Sequence, residues 1–349
     1  MASMQALVKP APAPGAELQS VRVPDLAAHD ALVRVRIASI CGTDLHIYEW
    51  DEWSRRRLRP PLTFGHEFCG VVEKVGAEVE AVKAGDYVSA EMHVPCGHCL
   101  QCRTGQAHIC ANVRILGVDA DGCFAEFVRV PAANIVKLDG AIAPEYGAIL
   151  DPLGNAVHTV LAGEIAARSV AIVGCGPIGL MAIAVCRACG AGPIFALEPN
   201  PRRRAMAQAL RADHVLDSRQ AGAVEEIAAA SEGGGVDVAL EFSGHADGVR
   251  AALRVARAGG RVSLLGIPAR AVELDLANEL ILKGLVVQGI HGRRMFETWH
   301  QMLSLLRQRK LELDPLFTDR LPLAEFAGAM ARLQRGDAAK ILLFPNGGI

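Results

Sequence analysis

Residues 41–53, CGTDLHIYEWDEW, put a thiol, a hydroxyl, a carboxylate and an imidazole within six positions, then run on through an acidic stretch with two tryptophans. Twenty residues after His46 stands His66-Glu67, preceded by a glycine. Thiolate, imidazole and carboxylate are the ligands zinc takes, and three such ligands with one exchangeable position suit metal-assisted chemistry on a bound substrate. Cys41 alone, ending an apolar run, would read as a buried thiol. Its combination with His66, Glu67 and the Asp151 of LDPLGN points to an open metal site instead. Zinc there lowers the pKa of a substrate hydroxyl, as it lowers that of water to about 7. The alkoxide so formed can expel hydride, which a neutral alcohol does not do readily. Thr43, whose hydroxyl both accepts and donates, and His46, an imidazole able to titrate near neutrality, offer the proton a route out. Asp44 is expected to orient His66. The carboxylates and ring faces of residues 48–53 are of the kind an ammonium group favours.

A second cluster, Cys96-x2-Cys99-x2-Cys102-x7-Cys110, gathers four thiols inside fifteen residues. Four thiolates complete a zinc tetrahedron and leave no position for substrate, so this lobe is expected to be structural. Its polar neighbours (His98, Gln101, Arg103, Gln106) argue against four core thiols. Further on, an apolar run enters Gly174-x-Gly176-x-x-Gly179, with Pro177 suited to a first helical turn. Glycines at these positions let a pyrophosphate approach the backbone at a helix N-terminus. Glu198 follows Gly174 by 24 residues. A carboxylate there accepts ribose hydroxyls and repels a 2′-phosphate, which favours NAD over NADP. Arg202, Arg203 and Arg204 pull the other way if they serve as a phosphate site, and not if they form a solvated helix face; NAD is the expectation.

Positioning these groups takes two domains, the default for 349 residues. Residues 1–150 carry short apolar runs broken by glycine and proline, the mark of a compact β-rich unit. From about residue 155 apolar strands alternate with alanine-rich amphipathic stretches: strands at 170–173, 194–197, 214–216, 236–240, 262–265 and 285–288, helices at 202–211 and 246–256. Alternation of this kind implies a parallel sheet with helices on both faces. Helices at 296–308 and 323–334 and a strand at 340–344 close the chain. With 51% hydrophobic and 21% charged residues the chain is globular, and a formal charge of −2 gives no footprint for nucleic acid. The uncharged stretch 169–186 is interrupted by glycines and Pro177, so no membrane span is expected. Residues 1–15 lack the basic start and apolar core of a secretory signal. Ten cysteines then imply reduced thiols and a cytoplasmic location.

Together CGTDLHIYEWDEW, FGHE, CGHCLQC, LDPLGNAVHT, GCGPIGLMA, LLGIP and GRRMFETW resemble the zinc-containing medium-chain alcohol dehydrogenases over nearly the whole chain. Within that family they look like the branch acting on L-threonine. The resemblance implies an α/β fold, with a GroES-like β-rich catalytic domain (1–153 and 297–349) and a Rossmann doubly wound parallel sheet (154–296). It implies a catalytic zinc on Cys41, His66 and Glu67, with Asp151 close by and important to proton transfer. Thr43 and His46 form the relay, and a structural zinc sits on Cys96, Cys99, Cys102 and Cys110, making two zinc ions per subunit. The implied cofactor contacts are Gly174, Gly176, Ile178, Gly179, Glu198, Arg203, Leu265, Gly266, Ile267, Ile290 and His291. Members usually carry tyrosine where this chain has His291. The implied reaction is NAD-dependent oxidation of the 3-hydroxyl of L-threonine to 2-amino-3-oxobutanoate, in a homotetramer. A polyol or secondary-alcohol dehydrogenase of the same family is the alternative.

Overall fold

The structure, a computed structural model, describes residues 2–348. The chain divides into two units, Met1–Asp151 with Arg294–Trp299 and Phe317–Ile349, and Pro152–Arg293 with His300–Leu316. The stretch after residue 297 is thereby shared, His300–Leu316 grouping with the second unit and the remainder with the first.

In the first unit the strand Asp30–Ser39, DALVRVRIAS, alternates so that Arg34 and Arg36 face outward while Val33, Val35 and Ile37 are buried. It pairs antiparallel with Phe68–Val75 and with Phe127–Pro131, and its far end pairs antiparallel with Lys340–Phe344. Lys340–Phe344 in turn lies parallel to Phe317–Pro322, in a seven-stranded sheet that also holds Tyr87–Ala90 and Ile135–Lys137. Phe64, Phe124 and Phe326 meet at 5.3–5.7 Å between ring centroids and tie the helix Phe326–Gln334 to the sheet. The strand and helix ending the chain follow the apolar pattern of the sequence, although the residues Leu323–Glu325 form a 3₁₀ turn before the helix.

The second unit is built on a six-stranded parallel sheet. Its strand order is His214–Leu216, Ile194–Leu197, Val170–Val173, Val236–Glu241, Ala256–Leu264, Val286–Gly289. In chain order this is 3-2-1-4-5-6, with the change of direction between Val170–Val173 and Val236–Glu241, where such sheets bind dinucleotides beyond the carboxyl ends of the strands. The fifth strand starts six residues earlier than the apolar run at 262 implied, because ARAGG carries no strand signal and enters the sheet with a register shift opposite Val236–Val238. Among the described residues no helix is long and apolar enough to cross a membrane.

Gly65 shows how closely the first unit is packed behind His66. Its φ is +92°, and a Cβ there would come 2.3 Å from the Phe124 ring. Gly65→Ala therefore combines left-handed strain with overpacking, and is expected to destabilise the protein by about 2–4 kcal/mol in urea unfolding. A cost below ~1 kcal/mol, measured the same way, would contradict this packing.

Candidate active site and metal centres

Cys41 lies just past the strand Asp30–Ser39 and caps the helix Gly42–Glu49. The Asp44 carboxylate closes that cap by accepting from the Cys41 amide at 2.8 Å. Its other oxygen lies 3.9 Å from His66 Nδ1, an electrostatic approach and not a hydrogen bond. Asp44 is fully buried; burial raises its pKa to about 6 against the opposing pull of His66 and the Cys41 amide.

Cys41, His66 and Glu67 bring one thiol, one imidazole and one carboxylate within 4.8 Å of each other. Burial works against a charged His66, but the Cys41 thiol and the carboxylates of Asp44 and Asp151 push its pKa up to about 10. The cluster thus calls for positive charge. Without metal a proton supplies it; zinc would displace that proton and take its place. Glu67 Oε1 is buried with no hydrogen-bond partner among the described residues, as an oxygen awaiting a cation would be. The donor set fits zinc, by type and by proximity. Glu67 Oε2, by contrast, is engaged: it accepts from Ser39 Oγ and pairs with the Lys340 ammonium, which also donates to the Ile40 carbonyl at 2.8 Å. Both members of this ion pair are buried.

Thr43 Oγ1 sits 3.8 Å from Cys41 Sγ, and His46 follows one turn later on the same helix. Asp151 is buried near the start of the helix Leu150–Leu161 and shares a second cluster with Glu91 and His93. Glu91 Oε1 accepts from the amide and Nδ1 of His93, both at 3.0 Å, and Oε2 accepts from Trp299 Nε1 at 2.9 Å. Sequence reasoning passed over Glu91 and His93, since EMH just before a cysteine lobe carries no spacing signal of its own. Trp299, from the MFETW run, is buried against Glu91.

The aromatic, acidic stretch after His46 differs from the sequence reading. Trp50 is buried, and Lys9 Nζ lies 5.3 Å over its ring. Tyr48 packs edge-on against Phe326, Asp51 pairs with His46, and Glu52 pairs with Arg56. These rings and carboxylates have partners within the chain, while Trp53 is exposed with its ring 6.1 Å from that of His46.

Cys96, Cys99, Cys102 and Cys110 converge within 4.8 Å. Sγ–Sγ distances of 3.5 Å (Cys99–Cys102) and 3.7 Å (Cys99–Cys110) approach the ~3.8 Å edge of a tetrahedron with metal–sulfur bonds of about 2.3 Å. Amide N–H groups of His98 and Cys99 lower the Cys96 pKa to about 6, which favours the thiolate a metal needs.

In the second unit, Val170–Val173 leads through Gly174 into the helix Pro177–Ala188, with Gly176 as N-cap and Pro177 in the first turn. A Cβ on Gly179 would fall 2.0 Å from the Gly174 carbonyl, so only glycine allows this helix to pack so near the strand end. Ile178 follows Pro177 in that first turn. Glu198, buried beyond Ile194–Leu197, accepts from the Cys175 amide at 2.7 Å and the Asn200 amide at 2.9 Å. Each oxygen keeps a second acceptor lone pair for a ribose hydroxyl. Arg204 is taken by Asp217 and the Glu198 carbonyl, whereas Arg203 Nε is buried without a partner among the described residues. Leu265 and Gly266 donate to the Glu241 carbonyl, Ile267 is exposed, and Ile290 donates to the Leu264 carbonyl just before His291.

Comparison with known proteins agrees with this architecture. Residues 27–140 match the family "Alcohol dehydrogenase GroES-like domain" and residues 177–308 the family "Zinc-binding dehydrogenase". The L-threonine 3-dehydrogenase of Symbiobacterium thermophilum is 50% identical over 345 residues, covering 99% of this chain and 98% of that protein. That of Bacillus licheniformis is 46% identical over 343 residues, covering 98% and 99%. A zinc-binding dehydrogenase structure from Sinorhizobium meliloti, bound to NADP, superposes with a TM-score of 0.92 at 30% identity, covering 99% of this chain and 100% of that one. An α/β chain with a GroES-like unit and a Rossmann unit, it belongs to the zinc-binding medium-chain alcohol dehydrogenase family.

Proposed function

We propose that this protein oxidises the 3-hydroxyl of L-threonine to 2-amino-3-oxobutanoate with NAD as hydride acceptor. The reading is carried by full-length identity of up to 50% to L-threonine 3-dehydrogenases, in a chain that retains Cys41, His66 and Glu67 as a clustered donor set. Zinc bound there supplies a Lewis acid that makes the substrate hydroxyl more acidic, and NAD bound to the second unit supplies the hydride acceptor. Cys41, His66 and Glu67 would hold the metal, and Asp151, whose carboxylate acts on His66, assists proton transfer. Lys340 restrains one Glu67 oxygen while leaving Oε1 uncommitted. Thr43 receives the substrate proton and His46, over half exposed, passes it to solvent. Gly174, Gly176, Ile178 and Gly179 cradle the pyrophosphate, and Glu198 with Arg203 takes the adenosine ribose. Leu265, Gly266, Ile267, Ile290 and His291 line the nicotinamide side. The Glu198 carboxylate favours NAD over NADP. The cysteine lobe holds the second zinc, and the ten thiols fit a cytosolic protein.

The protein works as a homotetramer in this reading. Support comes from the edge strand Val286–Gly289, hydrogen-bonded on one side only within its sheet, and from Ile281, Leu282 and Val286, which are 61–77% exposed around it. An apolar, unpaired sheet edge is a site for a second copy of the chain.

Four outcomes are expected. NADH absorbance should grow with L-threonine far faster than with sorbitol or 2,3-butanediol, and Cys41→Ser should abolish that turnover while dinucleotide affinity stays within about twofold. A faster rate with a polyol would assign the chain to the other substrate class. Cys102→Ser should drop zinc content from two ions per subunit toward one and lower thermal stability; unchanged metal content would refute the structural site. Val286→Lys should shift the mass found by light scattering to a smaller species, and an unaltered mass would place the interface elsewhere.

A further inference from the structure

We propose that Asp51 is a positioning residue for the reaction, fixing the tautomer of His46 so that Nε2 is left bare to take the proton. The proposal rests on the relay through His46 described above. After the helix Gly42–Glu49 the chain reverses at Trp50, whose φ is +57°, and this turn brings Asp51 back to His46. Asp51 Oδ2 lies 2.6 Å from His46 Nδ1, and Oδ1 accepts from the Ser54 amide at 3.0 Å as N-cap of the helix Glu52–Arg57. Ser54, itself buried, donates its hydroxyl to the His46 carbonyl at 2.7 Å, so both ends of the pair are tied to the same turn. Burial works against the Asp51 anion, but the Ser54 amide and the His46 ring outweigh it and hold the pKa below the ordinary carboxylate value. An ionised carboxylate only accepts hydrogen bonds, so the proton of a neutral His46 must sit on Nδ1. The remaining nitrogen is then an acceptor on a ring more than half exposed. Neighbouring charges are committed elsewhere: Glu49 to Gln334, Glu52 to Arg56, and Asp44 to the Cys41 amide.

Asparagine separates the two tasks of Asp51. It caps a helix as well as aspartate does. In a cap its carbonyl oxygen still faces Ser54, which turns the amide N–H₂ toward His46 Nδ1. His46 would then carry its proton on Nε2 and could no longer accept there. Serine caps too, but imposes neither tautomer. A purely structural role predicts near-equal kcat for Asp51, Asp51→Asn and Asp51→Ser. The positioning role predicts the order Asp51, then Asp51→Ser, then Asp51→Asn, with the last about tenfold or more below the first. Zinc content, melting temperature and KM for NAD should stay unchanged. The test uses the zinc-loaded protein with 15N-labelled histidine, the His46 resonances being assigned by their loss in His46→Gln. NMR should find Nδ1–H in the parent protein and Nε2–H in Asp51→Asn. Retention of Nδ1–H in that variant would overturn the pairing while leaving the relay standing. A changed tautomer with unaltered kcat would instead overturn the relay, and with it the part of Asp51 in the reaction.

Discussion

A buried ammonium beside a buried carboxylate governs how the metal cluster is built. Glu67 and Lys340 are both sequestered from solvent, and removing either partner of such a pair typically costs about 3–5 kcal/mol because the other charge is left uncompensated. Lys340 opens the strand Lys340–Phe344, so its position depends on that strand pairing with the end of Asp30–Ser39, beside Ser39 and two residues before Cys41. The same register that seats the cation therefore fixes where the thiol emerges. Neutralising one side of Glu67 also moderates a crowded negative site, in which Asp44 and Asp151 already raise the proton affinity of His66. The placing of the donor groups and the sheet register are two aspects of one packing problem here.

Much of this was legible in the sequence because it is written in local spacing. The four cysteines, the glycine-rich turn with Pro177, and the apolar strands at 170–173 and 194–197 each lie within a window where chain geometry alone restricts the outcome. Lys340 was not legible, since its role depends on pairing with residues 273 positions away. Glu91 and His93 were missed for a similar reason: their meaning comes from Trp299 and Asp151, contributed by distant segments. The fifth strand of the parallel sheet begins in ARAGG, where sheet pairing overrides weak local preference.

The stretch after His46 shows why composition can mislead about recognition. Carboxylates and aromatic rings close in sequence invite a cation, yet here the cation over Trp50 is Lys9, from the first strand. Lys9 also donates to the carbonyls of Gly15 and Tyr48, and burial lowers its pKa to about 8. The motif works internally, as a brace for the helix that bears Thr43 and His46. Substrate identity then rests on whole-chain similarity rather than on this segment.

The discontinuity of the first unit has a temporal side. On the ribosome, Glu67 emerges 273 residues ahead of Lys340, with the whole dinucleotide-binding unit still to be translated between them. At about 5–20 residues per second that interval is on the order of 14–55 s. The thiol, imidazole and carboxylate of the cluster are thus synthesised well before their counter-cation, so the Glu67–Lys340 pair closes only after the second unit has been made.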